Sequence, residues 1–526
     1  MLERHWRGIF AALLVIFLTT GIYNSFMRPV IVDDAEYANF GMEIARGSLP
    51  YKDFYIPQLP VMLYLHTVPQ LLFGPSILAG RLLSVLLSLG ILVVLFTAAR
   101  REAGIAGGLT AAALLALNLE TVNGLTMTKT HAVTALLLLT GAHFLLAAHI
   151  RRNRLVPAAF FFGLACAARV PACAAAGVCI MYIVFTRRQW KRVLLPASVA
   201  GATGVLLPFI PNMIGGGLWQ AFYTSVLVQL NRGETFVFKG GWPIRLDVLF
   251  SHLDQQFPLL VTAAGLLVIS MAEGLAARRA WWTRQWRFWA LTGMAAAVTL
   301  IYWIPNDATR TVYEMDIIPL LYLVAAIGAG RLFARDPRRM RVFIIMVTCC
   351  ICLHPLTQCK RMVLANYLAY TRDGLTNIRK IQHAGAFIAS RTNPDDRMFT
   401  FEVSVAVAAD RRLMPGLGCH YTYTPHWEED RCRRFATIND AMIARWVRNR
   451  EIGVLVLSPG DLHMLETHFP FAYALSHLEK EVVQRQITID RAFIEHYYYQ
   501  AAEIGEIGQG GQPLFVFLPR SDTAAG

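Results

Sequence analysis

Charge is what this chain has least of. Asp, Glu, Lys and Arg make up 16% of its 526 residues, hydrophobic residues 55%, and the mean hydropathy is +0.43. A soluble globular domain carries about 25% charged residues, so for most of the chain that class is excluded. No G-x-G-x-x-G or Walker A pattern occurs on the side marked as cytoplasmic below, and this disfavours a nucleotide-sugar donor. The nine cysteines show no zinc-site spacing. Cys166, Cys173, Cys179, Cys349, Cys350 and Cys352 lie in or beside apolar runs and read as small buried residues, whereas Cys359, Cys419 and Cys432 lie outside them, where one disulfide has room to form. Acidic residues are missing from the middle of every assigned span, and no two halves match. Both absences count against a coupled transporter.

What is present is a series of apolar runs, near the roughly 17–25 residues a bilayer crossing needs, from residue 9 to about residue 355. Residues 358–526 read as soluble. The net charge of +14 would suit a nucleic-acid partner, but the basic residues come in short clusters between apolar runs and act as topology signals. Six clusters stand around Arg4, Arg100, Arg151, Arg187, Arg278 and Arg331. If all are cytoplasmic, the segments between them each cross twice. This predicts eleven spans at 8–26, 77–98, 104–119, 131–149, 155–168, 171–186, 193–211, 257–276, 287–304, 316–332 and 342–357. The amino terminus is then inside and the carboxyl-terminal region outside. The first span reads as retained, because Arg28-Pro29-Val30 is not a small-residue cleavage site. Spans five and six are short, joined by "ARVP" at 168–171, and read as a partly re-entrant hairpin.

Cytoplasmic loops are short and basic, while the outer ones, including 27–76 and 212–256, are long and mixed. Chemistry is therefore expected on the outer face. Residues 32–60, "VDDAEYANFGMEIARGSLPYKDFYIPQLP", gather five carboxylates. Tyr37, Phe40, Gly41 and Ile44 recur at helical spacing and Gly47 stands where a helix would end, so an amphipathic helix along the membrane surface is expected. Asp33 and Asp34 fall at its amino-terminal end, where free N–H groups favour a carboxylate. A helix cap needs only one of them.

The acidic pair followed by Tyr-Ala, then "GSLPYKDFYIPQLP", resembles the GT-C glycosyltransferases of the protein mannosyltransferase and lipid A aminoarabinose transferase type, glycosyltransferase family 39. "AGRLLSVLLSLG" at 79–90 is similar to the family's second span with its early arginine, here Arg81. "GLACAARVPA" at 163–172 puts Arg169 where relatives have a basic residue, and "RTVYEMDIIPLLYLVAAIGAG" at 310–330 is similar to the start of a late span. The resemblance covers roughly 8–357 and implies an α-helical polytopic membrane protein of GT-C-like fold with its catalytic domain over 1–357, while residues 358–526 read, by their own patterns and the topology, as an extracytoplasmic α/β domain. It implies a polyprenyl-phosphate-linked sugar donor, a glycan, lipid or protein acceptor, and the plasma membrane as location. Where many relatives have a second acid, this chain has "NGLTMTKTHAV" with Lys129 and His131, so no second carboxylate and no metal site are assigned, although a divalent metal stays open.

A sugar on a lipid phosphate is already activated, so transfer needs a base for the acceptor proton and cations for the departing phosphate. The resemblance makes Asp33 the candidate base, with Asp34 as its neighbour or alternative, and inversion the expected outcome. Substrate-binding candidates are Tyr37, Arg81, Arg169, Arg310, Tyr313 and Glu314; snorkelling towards headgroups is the other reading of the arginines. The stretch 212–256 fits a mobile lid or an ordinary interfacial helix. In the tail, Ile378, Ile381, Gly385 and Ile388 predict a helix, and "RMFTFEV", "GVLVLSP" and "PLFVFLP" predict strands. A polytopic transporter and a non-catalytic lipid-glycan binding protein are the alternatives to an enzyme.

Overall fold

The computed structural model describes residues 2–148, 152–186, 190–227, 286–303, 315–335, 374–419, 422–425, 427–468, 487–507 and 512–520. The expected spans 257–276 and 342–357 lie outside them, as do Arg310, Tyr313 and Glu314. Among the described residues, four helical stretches are long and apolar enough to cross a membrane: Arg4–Met27, Ile77–Ala116, Thr130–Ala147 and Arg192–Gly215. The chain divides into two compact units, one of 1–25, 82–208 and 238–367, the other of 26–81, 209–237 and 368–526.

The first unit is helical. It holds α1 (Leu2–Met27), most of α4 (Ile77–Ala116), α5 (Leu119–Leu125), α6 (Thr130–Ala147), α7 (Leu155–Cys166), α8 (Cys173–Thr186), α9 (Trp190–Leu206) and the helices Trp286–Trp303 and Ile318–Arg335. α4 is broken at Ala103 and Gly104, where Gly104 takes φ +72, a left-handed value that costs glycine little. Two expected spans thus meet end to end. Helices in lipid gain little from apolar attraction and associate through small residues that let backbones approach. At the α7–α9 crossing a Cβ on Gly163 would stand 2.1 Å from the Gly201 carbonyl oxygen, and one on Gly204 2.3 Å from that of Phe160. Gly330 meets the Ala103 carbonyl in the same way, at 2.6 Å. The hairpin expected at "ARVP" is two separate helices of 12 and 14 residues, each short of a bilayer crossing.

The second unit joins residues far apart in sequence. Its sheet has the order β1 (Met398–Phe399), β2 (Val454–Leu457), β4 (Gln512–Pro519), β3 (Tyr498–Ile507), with β1 and β2 parallel and the other pairs antiparallel. The predicted helix forms as Asn377–Ala389 and buries Ile378, Ile381, Gly385 and Ile388. "RMFTFEV" supplies only two strand residues, because the chain turns at 400–402 into the helix Val403–Ala409. β3 was not expected, since its "YYQAAEIGEI" carries no period-2 apolar pattern.

α2 (Val32–Ala45) corrects one expectation. It does not lie on a surface with a wet polar face: Asp34 through Met42 are all buried, including Glu36 and Asn39 at 1% and 2% exposure. Its apolar side packs on α3 (Pro60–Phe73), and its other side is covered by carboxyl-terminal residues, with Asn39 Nδ2 donating to the Gly418 carbonyl oxygen at 3.4 Å. The helix ends as expected, Gly47 taking φ +92 and returning its N–H to the Ile44 carbonyl.

Candidate active site

Asp34 is the third residue of α2 and its carboxylate is wholly buried. Its Oδ2 accepts the Ile31 N–H at 3.2 Å, satisfying one amide of the first turn. The same oxygen accepts Arg81 Nη2 at 2.6 Å and Nε at 3.2 Å, and Oδ1 faces Arg28 Nη2 at 3.5 Å. Arg81, itself fully buried, also donates from Nη1 to the Arg28 carbonyl (2.9 Å) and from Nη2 to the Pro29 carbonyl (2.8 Å). The guanidinium therefore ties the acid to the turn that precedes its helix. Burial pulls the Arg28 pKa down to about 10 while the Asp34 charge opposes that pull. Asp33, one position earlier in α2, is half-buried.

Helix phase decides what else faces Asp34. Tyr37 and Gly41 follow it at i+3 and i+7 on the side towards α3. A Cβ on Gly41 would stand 2.5 Å from the His66 carbonyl oxygen, so only glycine lets the two helices come this close. The Tyr37 ring lies 5.4 Å from the His66 imidazole. His66 is fully buried, and neither ring nitrogen has a hydrogen-bond partner among the described residues. Burial lowers its pKa to about 4, against the pull of Asp34.

Beside this helix pair the chain from Pro50 to Gln58 is stitched to residues 209–227 of the same unit. Asn212 Nδ2 donates to the Pro50 carbonyl at 2.7 Å, Lys52 Nζ to the Gly215 carbonyl at 2.8 Å, and Ser225 Oγ to the Gln58 carbonyl at 3.1 Å. Tyr51 donates to the same Gln58 oxygen at 2.7 Å. Gln58 Oε1, Tyr64 OH and Asn212 Oδ1 are buried atoms with no partner among the described residues. Sequence reasoning missed them and His66, because nothing in local pattern marks a polar group as unsatisfied. Exposed Ile214, Trp219 and Phe222 follow on the helices Ile210–Gly215 and Leu218–Phe222, and a π-helical turn, Tyr223–Leu227, closes the described stretch.

In the first unit, Arg169 stands in the turn between α7 and α8. It contacts His131 Nδ1 and lies 3.5 Å from Asp316 Oδ2. His131 and Asp316 are buried. His131 is thus a buried partner of an arginine. Among the described residues no group of three or more His, Cys, Asp or Glu side chains could hold a metal ion. Cys419 and Cys432 are buried, and Cys359 lies outside the described residues.

A family model described as dolichyl-phosphate-mannose-protein mannosyltransferase matches residues 57–214. The solved structure of ArnT from Cupriavidus metallidurans bound to undecaprenyl phosphate matches with a TM-score of 0.62 and 15% identity, over 97% of this chain and 98% of that one. The chain has the GT-C fold. It is a protein similar to glycosyltransferase family 39. Weaker likenesses reach the oligosaccharyltransferase AglB of Archaeoglobus fulgidus with dolichol-phosphate, at TM-score 0.49 and 11% identity over 100% of this chain and 75% of that one. No curated protein matches by sequence. The matched residues of this GT-C protein include Arg81 and Arg169 but begin after Asp33, Asp34 and Tyr37.

Proposed function

We propose that the protein transfers a sugar from a polyprenyl-phosphate carrier to an acceptor hydroxyl at the outer face of a plasma membrane, with Asp33 as general base. The fold shared with a protein that binds undecaprenyl phosphate supports the donor class. The observation that carries the role of Asp33 is the division within the acidic pair. Arg81 and the Ile31 amide converge on one oxygen of Asp34 and Arg28 faces the other, whereas Asp33 lies one position away and is half-buried. A carboxylate held by two arginines is a poor base, which leaves its neighbour, the acid that the family resemblance favours, to take the proton.

The acceptor oxygen attacks the anomeric carbon as the bond to the lipid phosphate breaks, and the acceptor proton passes to Asp33. One displacement with one base inverts the anomeric centre. The carrier leaves as a phosphate anion whose charge needs cations. Arg169 and Arg310, with Tyr313 and Glu314 on the acceptor, keep the roles the family resemblance implies, while Arg81 holds the acid in place. The test is turnover of purified Asp33→Asn with a polyprenyl-phosphate sugar, beside its thermal stability. Loss of turnover in a normally stable protein supports the reading, and normal turnover refutes it.

A further inference from the structure

Arg169 is held at both its main chain and its tip. Its N–H returns to the Ala165 carbonyl at 2.9 Å and its carbonyl accepts the Ala172 N–H at 3.1 Å, which fixes the backbone between α7 and α8. At the tip, Nη1 meets Nδ1 of His131, in the first turn of α6, and stands 3.5 Å from Oδ2 of Asp316, just before the helix Ile318–Arg335. Three separate elements of the first unit thus converge on one guanidinium. A guanidinium only donates, which makes Nδ1 of His131 an acceptor and assigns the imidazole proton to Nε2. Asp316 lies at the amino-terminal end of its helix, where the dipole favours a carboxylate. The two acceptors are sealed and the cation is not: the Asp316 side chain has no exposed surface and His131 is 2% exposed, whereas the Arg169 side chain keeps 13% of its surface open. Of the three, Arg169 is the group that a ligand can reach.

We propose that Asp316 and His131 are positioning residues that aim Arg169 at the phosphate of a polyprenyl-phosphate ligand. The proposal rests on the phosphate role given to Arg169 above. A free arginine side chain has about 2 kcal/mol of rotamer entropy to lose when it takes up a ligand. Two fixed acceptors remove that loss in advance. His131 gives the guanidinium a direction without adding charge, and Asp316 supplies the counter-charge that a cation inside a membrane-embedded unit requires. The sign of one effect separates aiming from mere proximity. A carboxylate beside an anion site repels the anion, so if Asp316 were only a neighbour, removing its charge would tighten phosphate binding. If Asp316 aims Arg169, removing its charge loosens binding in spite of the lost repulsion.

The experiment titrates undecaprenyl phosphate into the full-length protein in detergent, with the unfolding midpoint of each variant measured alongside. Asp316→Asn should bind roughly 3- to 10-fold more weakly, the worth of a single hydrogen bond, and Asp316→Glu should recover most of the loss. His131→Leu should also weaken binding, and His131→Asn, whose amide oxygen can stand in for Nδ1, should restore it. In an Arg169→Ala background, itself weak, neither Asp316→Asn nor His131→Leu should lower affinity further, because both act through the arginine. Unchanged or tighter binding by Asp316→Asn at a normal midpoint overturns the proposal, and so does a further loss in the background that lacks Arg169. Where Asp316→Asn lowers the midpoint, the His131 pair decides alone, and wild-type affinity in His131→Leu overturns the proposal. Arg169→Ala separates this failure from that of the reading beneath it. Wild-type affinity in that variant overturns the phosphate role of Arg169 itself, whereas weak binding there with normal binding in the Asp316 and His131 variants overturns only the aiming.

Discussion

Arg81 donates two hydrogen bonds to one oxygen of Asp34, from Nη2 at 2.6 Å and from Nε at 3.2 Å, and both side chains are wholly buried. Removing one partner of such a pair strands a charge that water cannot reach, which costs about 3–5 kcal/mol. Arg81→Ala and Asp34→Ala should each lower the unfolding midpoint markedly, and the double variant should cost less than the sum of the two. Arg81→Lys keeps the charge but loses the planar fork and should fall between. Thermal unfolding in detergent measures all four; additive losses would mean that the pair is not coupled.

Gly41 sets the approach of α2 to α3. Gly41→Ala forces a Cβ to 2.5 Å from the His66 carbonyl oxygen, and backbone cannot give way as a side chain can. The helices must separate, at about 1–3 kcal/mol. Activity should fall together with stability, because α2 carries both acids. A variant of unchanged midpoint would show that the crossing is loose.

His66 gives the protein an acid-side weakness. Its folded pKa of about 4 lies below the unfolded value of 6.5. Between those values the unfolded chain binds a proton that the buried imidazole refuses, so stability is full above pH 6.5 and is lost as pH falls towards 4. The loss is roughly 3 kcal/mol at most, at about 1.4 kcal/mol per unit. His66→Phe, which cannot titrate, should flatten unfolding midpoint against pH over that window. An unchanged slope would assign the acid sensitivity to other groups.

Topology has its own check. Single cysteines introduced at 130 and 450, with native thiols blocked, should react in intact cells with an impermeant maleimide, and those at 189 and 338 should not. Labelling at 189 without labelling at 450 would invert the orientation.

Much of the fold was legible because lipid imposes it: long apolar runs must be helices, and Ile378, Ile381 and Ile388 do line the buried face of one helix in the soluble part. The acidic pair at the start of α2 was legible too. That its members differ was not. Arg81 lies 47 residues beyond Asp34, and which acid it meets follows from helix phase and from the approach that Gly41 permits. The burial of α2 on every side was hidden for a similar reason. Glu36 and Asn39 look like a solvent face until residues such as Gly418, 379 positions beyond Asn39, cover them. Unsatisfied atoms such as the His66 nitrogens leave no trace in periodicity at all.

The central claim is that Asp33, rather than Asp34, takes the acceptor proton. Asparagine keeps the shape of aspartate and caps a helix about as well, so Asp33→Asn isolates basicity. Turnover by purified Asp33→Asn, with a polyprenyl-phosphate sugar and the cell's own acceptor fraction, is the most direct measurement. A fall of about 10²-fold or more, with the unfolding midpoint and donor binding of the wild type, is the predicted result. Turnover within a few fold of wild type would contradict the account and leave the pair a structural cap.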